Sequence, residues 1–372
     1  MRKFHKSIVA SSYFNAARSL KNLPDGHKAR NLHGHTFGTI IMTDFEGSSF
    51  NSGVEHLELS ENLVATTSQL DYAHLNKYIT IPSDPYLAKW ILNNLSKKGK
   101  VRSILLQSSK DRGVQLQCDQ FIHLWQSFRF EAAHQLPFVE PNHKCGRMHG
   151  HSFQVLLNVR KKFDDAKINA SYDLLEKIWD PFNRLLNYNC LNNIEGLENP
   201  TSELIAKWLW EKISKILPEL FRVSVYETGS CGAHYDGKDF SVWKDFTFDS
   251  AVKFGDREVN FCQPNKVYDT IHGHTFLLRI SVKAHLDPLR GWTKDFGEIK
   301  KLLKPILRQL DHHPIHENEE INEASLSNIS EWILRKVVLK VPEISGLELY
   351  EIERGGIVHE EGADSKLLPL SR

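Results

Sequence analysis

Runs of apolar and β-branched residues recur along this chain at regular intervals. One set is GTIIM from Gly38, FQVLLNV from Phe153 and FLLRISV from Phe276. A second set is SILLQSS from Ser103, VSVYETG from Val223 and LELYEIE from Leu347. Between the sets lie segments with apolar residues at roughly helical spacing: DPYLAKWILNNL from Asp84, TSELIAKWLWEKISKIL from Thr201 and SLSNISEWILRKVV from Ser325. Each starts behind an Asp, Ser or Thr that can cap the first turn. The pattern predicts strand, strand, helix, helix, strand, strand, three times over.

Shorter phrases repeat in the same order. The triplet His-Gly-His opens the first strand set at His33, His149 and His272, with spacings of 116 and then 123 residues. YFNAAR, RFEAAH and TFDSAV precede the triplets, at Tyr13, Arg129 and Thr247. LDYAHLN, LNYNCLN and LDHHPIH follow, placing Asp71, Asn187 and Asp311 38 or 39 residues beyond each triplet's first histidine. Ordered repetition of this kind marks one structural unit copied in tandem. Strand hairpins with two helices on one face make an α+β unit. The units are expected at 1–120, 121–242 and 243–372.

Composition narrows the class. With 41% hydrophobic and 25% charged residues the 372-residue chain is ordinary for a globular protein. A net charge of +1 gives no electrostatic footprint for nucleic acid or an anionic membrane, so neither is expected as a partner. No stretch of 18 apolar residues suggests a membrane span, and the start lacks a signal-peptide core. Five scattered cysteines, Cys118, Cys145, Cys190, Cys231 and Cys262, suit reduced thiols in the cytoplasm better than a disulfide framework.

The chemistry concentrates in the middle unit. His149 and His151 stand two apart at the start of a strand, so both face one side. His134 ends RFEAAH, which reads as the partner strand of a hairpin. Three neutral imidazoles on adjacent strands can bind Zn²⁺ and leave a fourth position open, as catalytic sites do. Cys145 lies four residues before His149. Spacing leaves it open as a fourth ligand or as a free thiol acting as a base beside the metal.

FEAAH, the spacing Cys145-x-x-x-His149 and the later Glu in VYETG resemble the 6-pyruvoyl-tetrahydropterin synthase / 6-carboxy-tetrahydropterin synthase family. The likeness spans nearly the whole chain as three copies. It implies the tunnelling fold, a four-stranded antiparallel sheet with two helices per unit, here forming a covalent pseudo-trimer. It further implies zinc at His134, His149 and His151, a proton-transferring Cys145, and a glutamate, Glu227 or Glu351, that grips the N–H edge of a pterin. The resemblance also calls for an Asp-His pair supplied by a neighbouring unit, found here at Asp311-His312.

Against the family pattern the units differ in an orderly way. The first has Arg18 at the zinc-histidine position, Ala29 at the cysteine, Asp71-Tyr72 at the pair and Gln107 at the glutamate. A guanidinium cannot ligate zinc and repels it. The third has Val252 and, by count, Tyr268 at the metal and cysteine positions, but keeps Asp311-His312, Glu351 and the phrase GWTKDF. The middle unit has Asn187-Tyr188 at the pair, and Ser171-Tyr172 where the family has Asp-Phe. One complete set is therefore expected across units two and three, with one zinc per chain.

The three-residue gap between Cys145 and His149 looks like the 6-carboxy-tetrahydropterin synthases of the queuosine pathway. The implied substrate is 7,8-dihydroneopterin triphosphate, and the implied products are 6-carboxytetrahydropterin, acetaldehyde and triphosphate. A 6-pyruvoyl-tetrahydropterin synthase or another dihydropterin side-chain lyase is the alternative within the family, and a non-catalytic pterin- or purine-binding scaffold the alternative outside it. Two stacked pseudo-trimers would make a homodimer.

Overall fold

The computed structural model describes residues 3–45, 55–95, 101–117, 121–163, 171–253, 270–321, 323–352 and 355–361. Cys118, Cys262 and Tyr268 lie outside them. The first third runs β1 (Phe4–Arg18), β2 (His33–Asp44), α1 (Glu55–Thr67), a two-residue β3 (Ala73–His74), α2 (Asp84–Asn94), β4 (Val101–Ser109) and β5 (Arg112–Gln117). The second repeats the order as β6 (Phe121–His134), β7 (His149–Lys162), α3 (Ser171–Leu186), β8 (Asn189–Cys190), α4 (Ser202–Ile213), β9 (Leu220–Thr228) and β10 (Cys231–Tyr235). The third follows as β11 (Phe240–Val252), β12 (His272–Lys283), α5 (Phe296–Leu307), α6 (Leu326–Val338), β13 (Ile344–Glu351) and β14 (Gly355–Glu361). The expected α+β order holds in every third.

Twelve of these strands form one continuous antiparallel sheet, from β14 back through β13, β12, β11, β10, β9, β7, β6, β5, β4 and β2 to β1. The sheet then closes on itself, because β1 pairs with β14 from Phe4↔Glu361 to Ala10↔Gly355. Closure gives each of the twelve strands a partner strand on both sides. Period-two alternation gives each strand two faces. Phe130, Phe153, Val155 and Leu157 pack with helix residues such as Leu175, Ile205 and Leu209. The third unit has its own such core, around Phe248, Phe276, Leu303 and Trp332. The opposite face is lined by strands alone, with Trp125, Leu156, Tyr226 and Trp243 in one cluster.

Two glycines shape that strand-lined face. Gly113 sits directly across from Trp125, and Gly232 directly across from Trp243. A Cβ on Gly232 would fall 2.2 Å from the Val225 carbonyl oxygen and 2.3 Å from the Trp243 ring. The indoles thus lie flat over bare backbone.

The caps differ in detail from the sequence reading. Thr201 and Ser325 cap α4 and α6 through their side-chain oxygens. Asp84, by contrast, is the first residue of α2 behind Ser83, and its carboxylate is used elsewhere. No helix among the described residues is long and apolar enough to cross a membrane.

Gly232→Ala should lose about 1–3 kcal/mol of stability through overpacking. Gly34→Ala should stay within about 0.5 kcal/mol of the parent, since its nearest neighbour would be the Ala16 carbonyl at 3.7 Å. Urea denaturation of the two variants checks the contrast, and equal losses would contradict it.

Candidate metal centre and its junctions

The hairpin of β6 and β7 sets His134 directly opposite His149, and the two-residue repeat brings His151 to the same face. Ring centroids lie 4.5 Å apart for His134–His149, 5.2 Å for His134–His151 and 5.0 Å for His149–His151. One ligand nitrogen from each lies within 4.8 Å of the other two. The His134 Nδ1 donates to the Pro200 carbonyl at 3.0 Å, and the His149 Nδ1 donates to the Arg147 carbonyl at 2.7 Å. A carbonyl only accepts, so each ring carries its proton on Nδ1 and keeps the Nε2 lone pair free. The buried Nε2 atoms of His134 and His151 have no hydrogen-bond partner. Burial also pushes both imidazoles below the usual histidine range, favouring the neutral, ligating form. Oriented, neutral and otherwise unsatisfied nitrogens are what a bound transition metal requires, so the donor set fits zinc.

Glu227 closes one side. Its Oε1 lies 3.5 Å from the His151 Nε2, and its Oε2 accepts from the Ser202 hydroxyl at 3.0 Å. Cys145 lies in the short turn Lys144–Gly146, where its N–H donates to the His143 Nδ1 at 3.2 Å. Burial, then the Glu227 charge, pushes the Cys145 thiol up. A thiolate there needs a cation beside it.

The third unit lines the same region through GWTKDF. Trp292 lies 5.8 Å from the His143 ring, and Asp295 lies 3.5 Å from the His143 Nε2. The Thr201 hydroxyl donates to the Gly291 carbonyl at 2.6 Å, and the Asn199 amide donates to the Arg290 carbonyl at 2.8 Å. Glu203 accepts from the Thr293 N–H at 2.8 Å and from its hydroxyl at 3.1 Å. Glu203 is 2% exposed, and burial raises its carboxyl to about 7 despite those donors. Nothing in the sequence sets Glu203 apart from the other polar residues of its helix. What marks it is a partner 90 residues away.

Asp311 and His312 form a cluster separate from that of the three histidines. They group with Asp249. Asp311 accepts the Asp249 N–H at 3.1 Å and faces the His312 Nδ1 at 3.0 Å. His312 is held at φ 57° by donating its backbone N–H to the Asp249 carbonyl, which leaves its side chain 77% exposed. Asn187-Tyr188 and Asp71-Tyr72 make the same turn on Glu131 and Asn15. The first residue of the pair is thus a backbone clasp in every third, whatever the second one does. No hydrogen bond or ion pair of Asp311 or His312 reaches the triad among the described residues.

The other two triplets have different companions. Arg18 stands opposite His33, as His134 stands opposite His149. Its guanidinium donates to the Pro82 carbonyl at 2.9 Å and to Asp84 at 2.6 Å, and comes within 3.4 Å of the His35 Nε2. Burial would push Asp84 up, but the Arg18 charge, with bonds from Ser108 and Tyr172, outweighs it and holds the carboxyl low. A fixed cation therefore fills this corner. The Tyr172 bond to Asp84, 2.8 Å, also gives a structural role to a residue that had no account from sequence. In the third unit Val252 opposes His272, and Glu351 lies between His56 at 3.4 Å and His274 at 3.9 Å.

One alignment needs correction. The fifth residue beyond each triplet's first histidine pairs as Gly38↔Gln107, Gln154↔Tyr226 and Leu277↔Tyr350. Gln107 therefore corresponds to Tyr226 and Tyr350, and Ser108 takes the place of Glu227 and Glu351. Counting along an unpaired sequence had slipped by one residue, which moves a side chain to the other face.

The family model for 6-pyruvoyl tetrahydropterin synthase matches residues 7–115, 123–238 and 241–361, so the chain belongs to that family, in three tandem copies. It is 39% identical over 121 residues to the 6-carboxy-5,6,7,8-tetrahydropterin synthase of Synechocystis, a match covering 30% of this chain and 91% of the relative. It is 27% identical over 93 residues to the dihydroneopterin monophosphate aldolase of Pyrococcus furiosus, covering 24% of this chain and 78% of that protein. Among solved structures, the 6-pyruvoyl tetrahydropterin synthase of Caenorhabditis elegans matches 33% of this chain and 95% of its own at 15% identity, with a TM-score of 0.29.

Glu203 generates a pH prediction. Its folded carboxyl titrates at about 7, above its unfolded value, so its stability contribution is complete at low pH and is lost as pH rises through 7. Glu203→Gln should match the parent at pH 4 and exceed it at pH 8 by on the order of 3 kcal/mol. Denaturant titration at the two pH values checks this, and a variant less stable than the parent at pH 8 would contradict it.

Proposed function

We propose that the chain is a 6-carboxy-5,6,7,8-tetrahydropterin synthase, converting 7,8-dihydroneopterin triphosphate to 6-carboxytetrahydropterin with release of acetaldehyde and triphosphate, a step of queuosine biosynthesis. The observation that carries the reading is the convergence of His134, His149 and His151 beside Glu227, with the buried Nε2 atoms of His134 and His151 lacking a hydrogen-bond partner, in the one third that also has Cys145. The Synechocystis relative supports the choice of reaction.

In this reading His134, His149 and His151 hold one zinc ion. Bound there, zinc supplies Lewis-acid polarisation of the substrate's side-chain oxygens. Cys145 takes the proton released on one face of the substrate side chain. His312, oriented by Asp311 and contributed by the third unit, handles the proton on the other. Glu227 accepts the amino and ring N–H donors of the pterin, and its side chain is 18% exposed at the centre. Glu351, at 5% exposure and flanked by His56 and His274, is the less available carboxylate. The units 1–120, 121–242 and 243–372 act as a pseudo-trimer with one working junction, and two chains stack as a homodimer.

The related reading is a dihydropterin side-chain lyase with another product, which the 27% identical aldolase keeps in view. Incubation with 7,8-dihydroneopterin triphosphate separates the two. Acetaldehyde together with 6-carboxytetrahydropterin is expected, and a pyruvoyl or hydroxymethyl pterin in their place would refute the assignment.

Metal analysis of the purified chain should find close to one zinc, and two or three would refute a single centre. Cys145→Ala should keep that zinc and lose turnover by about 10²–10⁴-fold. His312→Ala, 161 residues beyond His151, should lose activity on the same scale with zinc content unchanged. Full activity in the His312 variant would remove the Asp311-His312 pair from the proposed chemistry.

A further inference from the structure

The first junction contains a cavity of about 680 Å³, bounded by β1, β2 and β4 of the first third and by β6, β7, β9 and α3 of the second. Its size suits a small molecule. It is separate from the corner that Arg18 fills. Gly38 and Gln107, on its wall, alternate with Phe37 and Ser108, so they face the other side of the sheet from His35 and Asp84.

The space has a cause in sequence. Gly38 and Gln107 pair where the second unit has Gln154 and Tyr226 and the third has Leu277 and Tyr350. The first junction alone combines a missing side chain with an amide in place of a phenol. Gly38 is not required by backbone conformation. A Cβ there would meet Tyr13 ring carbons at 3.0 and 3.5 Å and the Gln107 Oε1 at 3.6 Å, all in side chains.

The lining reads as recognition chemistry. Phe128 and Trp179 are stacked at 5.0 Å between centroids, a flat aromatic wall. Gln107 and Asn183 each bring an amide donor and acceptor, and Arg129 and Lys110 bring positive charge partly offset by Asp111. Among the described residues, the side chains of Gln107, Asn183 and Arg129 make no hydrogen bond or ion pair within the protein. Paired amides match the mixed donor–acceptor edge of a nitrogen heterocycle, the aromatic wall matches its face, and the cations match an anionic substituent.

We propose that this cavity is a second small-molecule site, distinct from the histidine centre, for a planar heteroaromatic ligand bearing an anionic group and of nucleotide size. It goes beyond the reaction proposed above and does not depend on it.

Calorimetry with guanosine monophosphate on the full chain tests this. One equivalent should bind with a Kd below about 1 mM, and guanosine or inorganic phosphate alone should bind at least about tenfold more weakly. Gly38→Gln, which installs the second unit's own residue, and Arg129→Ala, an exposed change that does not threaten folding, should each weaken binding at least about tenfold. His149→Ala should leave it unchanged. Absence of binding at 1 mM, retention in both cavity variants, saturation by phosphate alone, or loss in the His149 variant would each overturn the proposal.

Discussion

The pairing of Phe4–Ala10 with Gly355–Glu361 is the constraint on which the rest of the molecule depends. Every strand of the ring is hydrogen-bonded on both sides only because the first and last strands meet there. With that seam made, each third is flanked by the other two, and a third junction joins the two that chain order already makes. His56 can meet Glu351, Tyr172 can reach Asp84, and Thr293 can donate to Glu203. A sheet with its seam open would keep two of these junctions and lose the one between β14 and β1.

The junctions solve one electrostatic problem in three ways. Each corner brings together imidazoles at the start of one strand and the residue ending its neighbour. In the middle unit a third imidazole completes a trio of nitrogens close enough to hold a metal ion. In the first, a guanidinium supplies permanent positive charge and Asp84 balances it. In the third, an apolar Val252 takes the position and a buried carboxylate lies between two histidines from different units. Burial makes each solution exclusive, because a buried charge without a partner costs several kcal/mol.

Much of this was legible in sequence, because it is local. The strand and helix order follows from periodicity, and the His134–His149 pairing follows from a hairpin whose two arms are both visible. Arg18 in the place of His134 declares itself by residue type. What escaped required knowledge of partners distant along the chain. Gln107 was placed by counting, and only strand pairing shows that Ser108 faces inward. Asp84 looked like a cap because helix starts favour acids, whereas Arg18 had claimed it. Glu203 is one polar residue on an amphipathic helix until Thr293 arrives from the next unit. The first residue of the Asp-His pair has a backbone duty, clasping the neighbouring strand, that hides behind its chemistry.

Tying the three copies into one polypeptide has a genetic consequence. In an assembly of identical separate chains, an arginine at the position of Arg18 would appear at every corner at once. Here one codon alters one corner. The Arg18–Asp84 pair can rigidify its own junction while the histidine centre next door is left alone, and Gly38 can hollow out a wall whose counterparts stay filled. Asymmetry of this kind is open to a covalent ring and closed to a symmetric one.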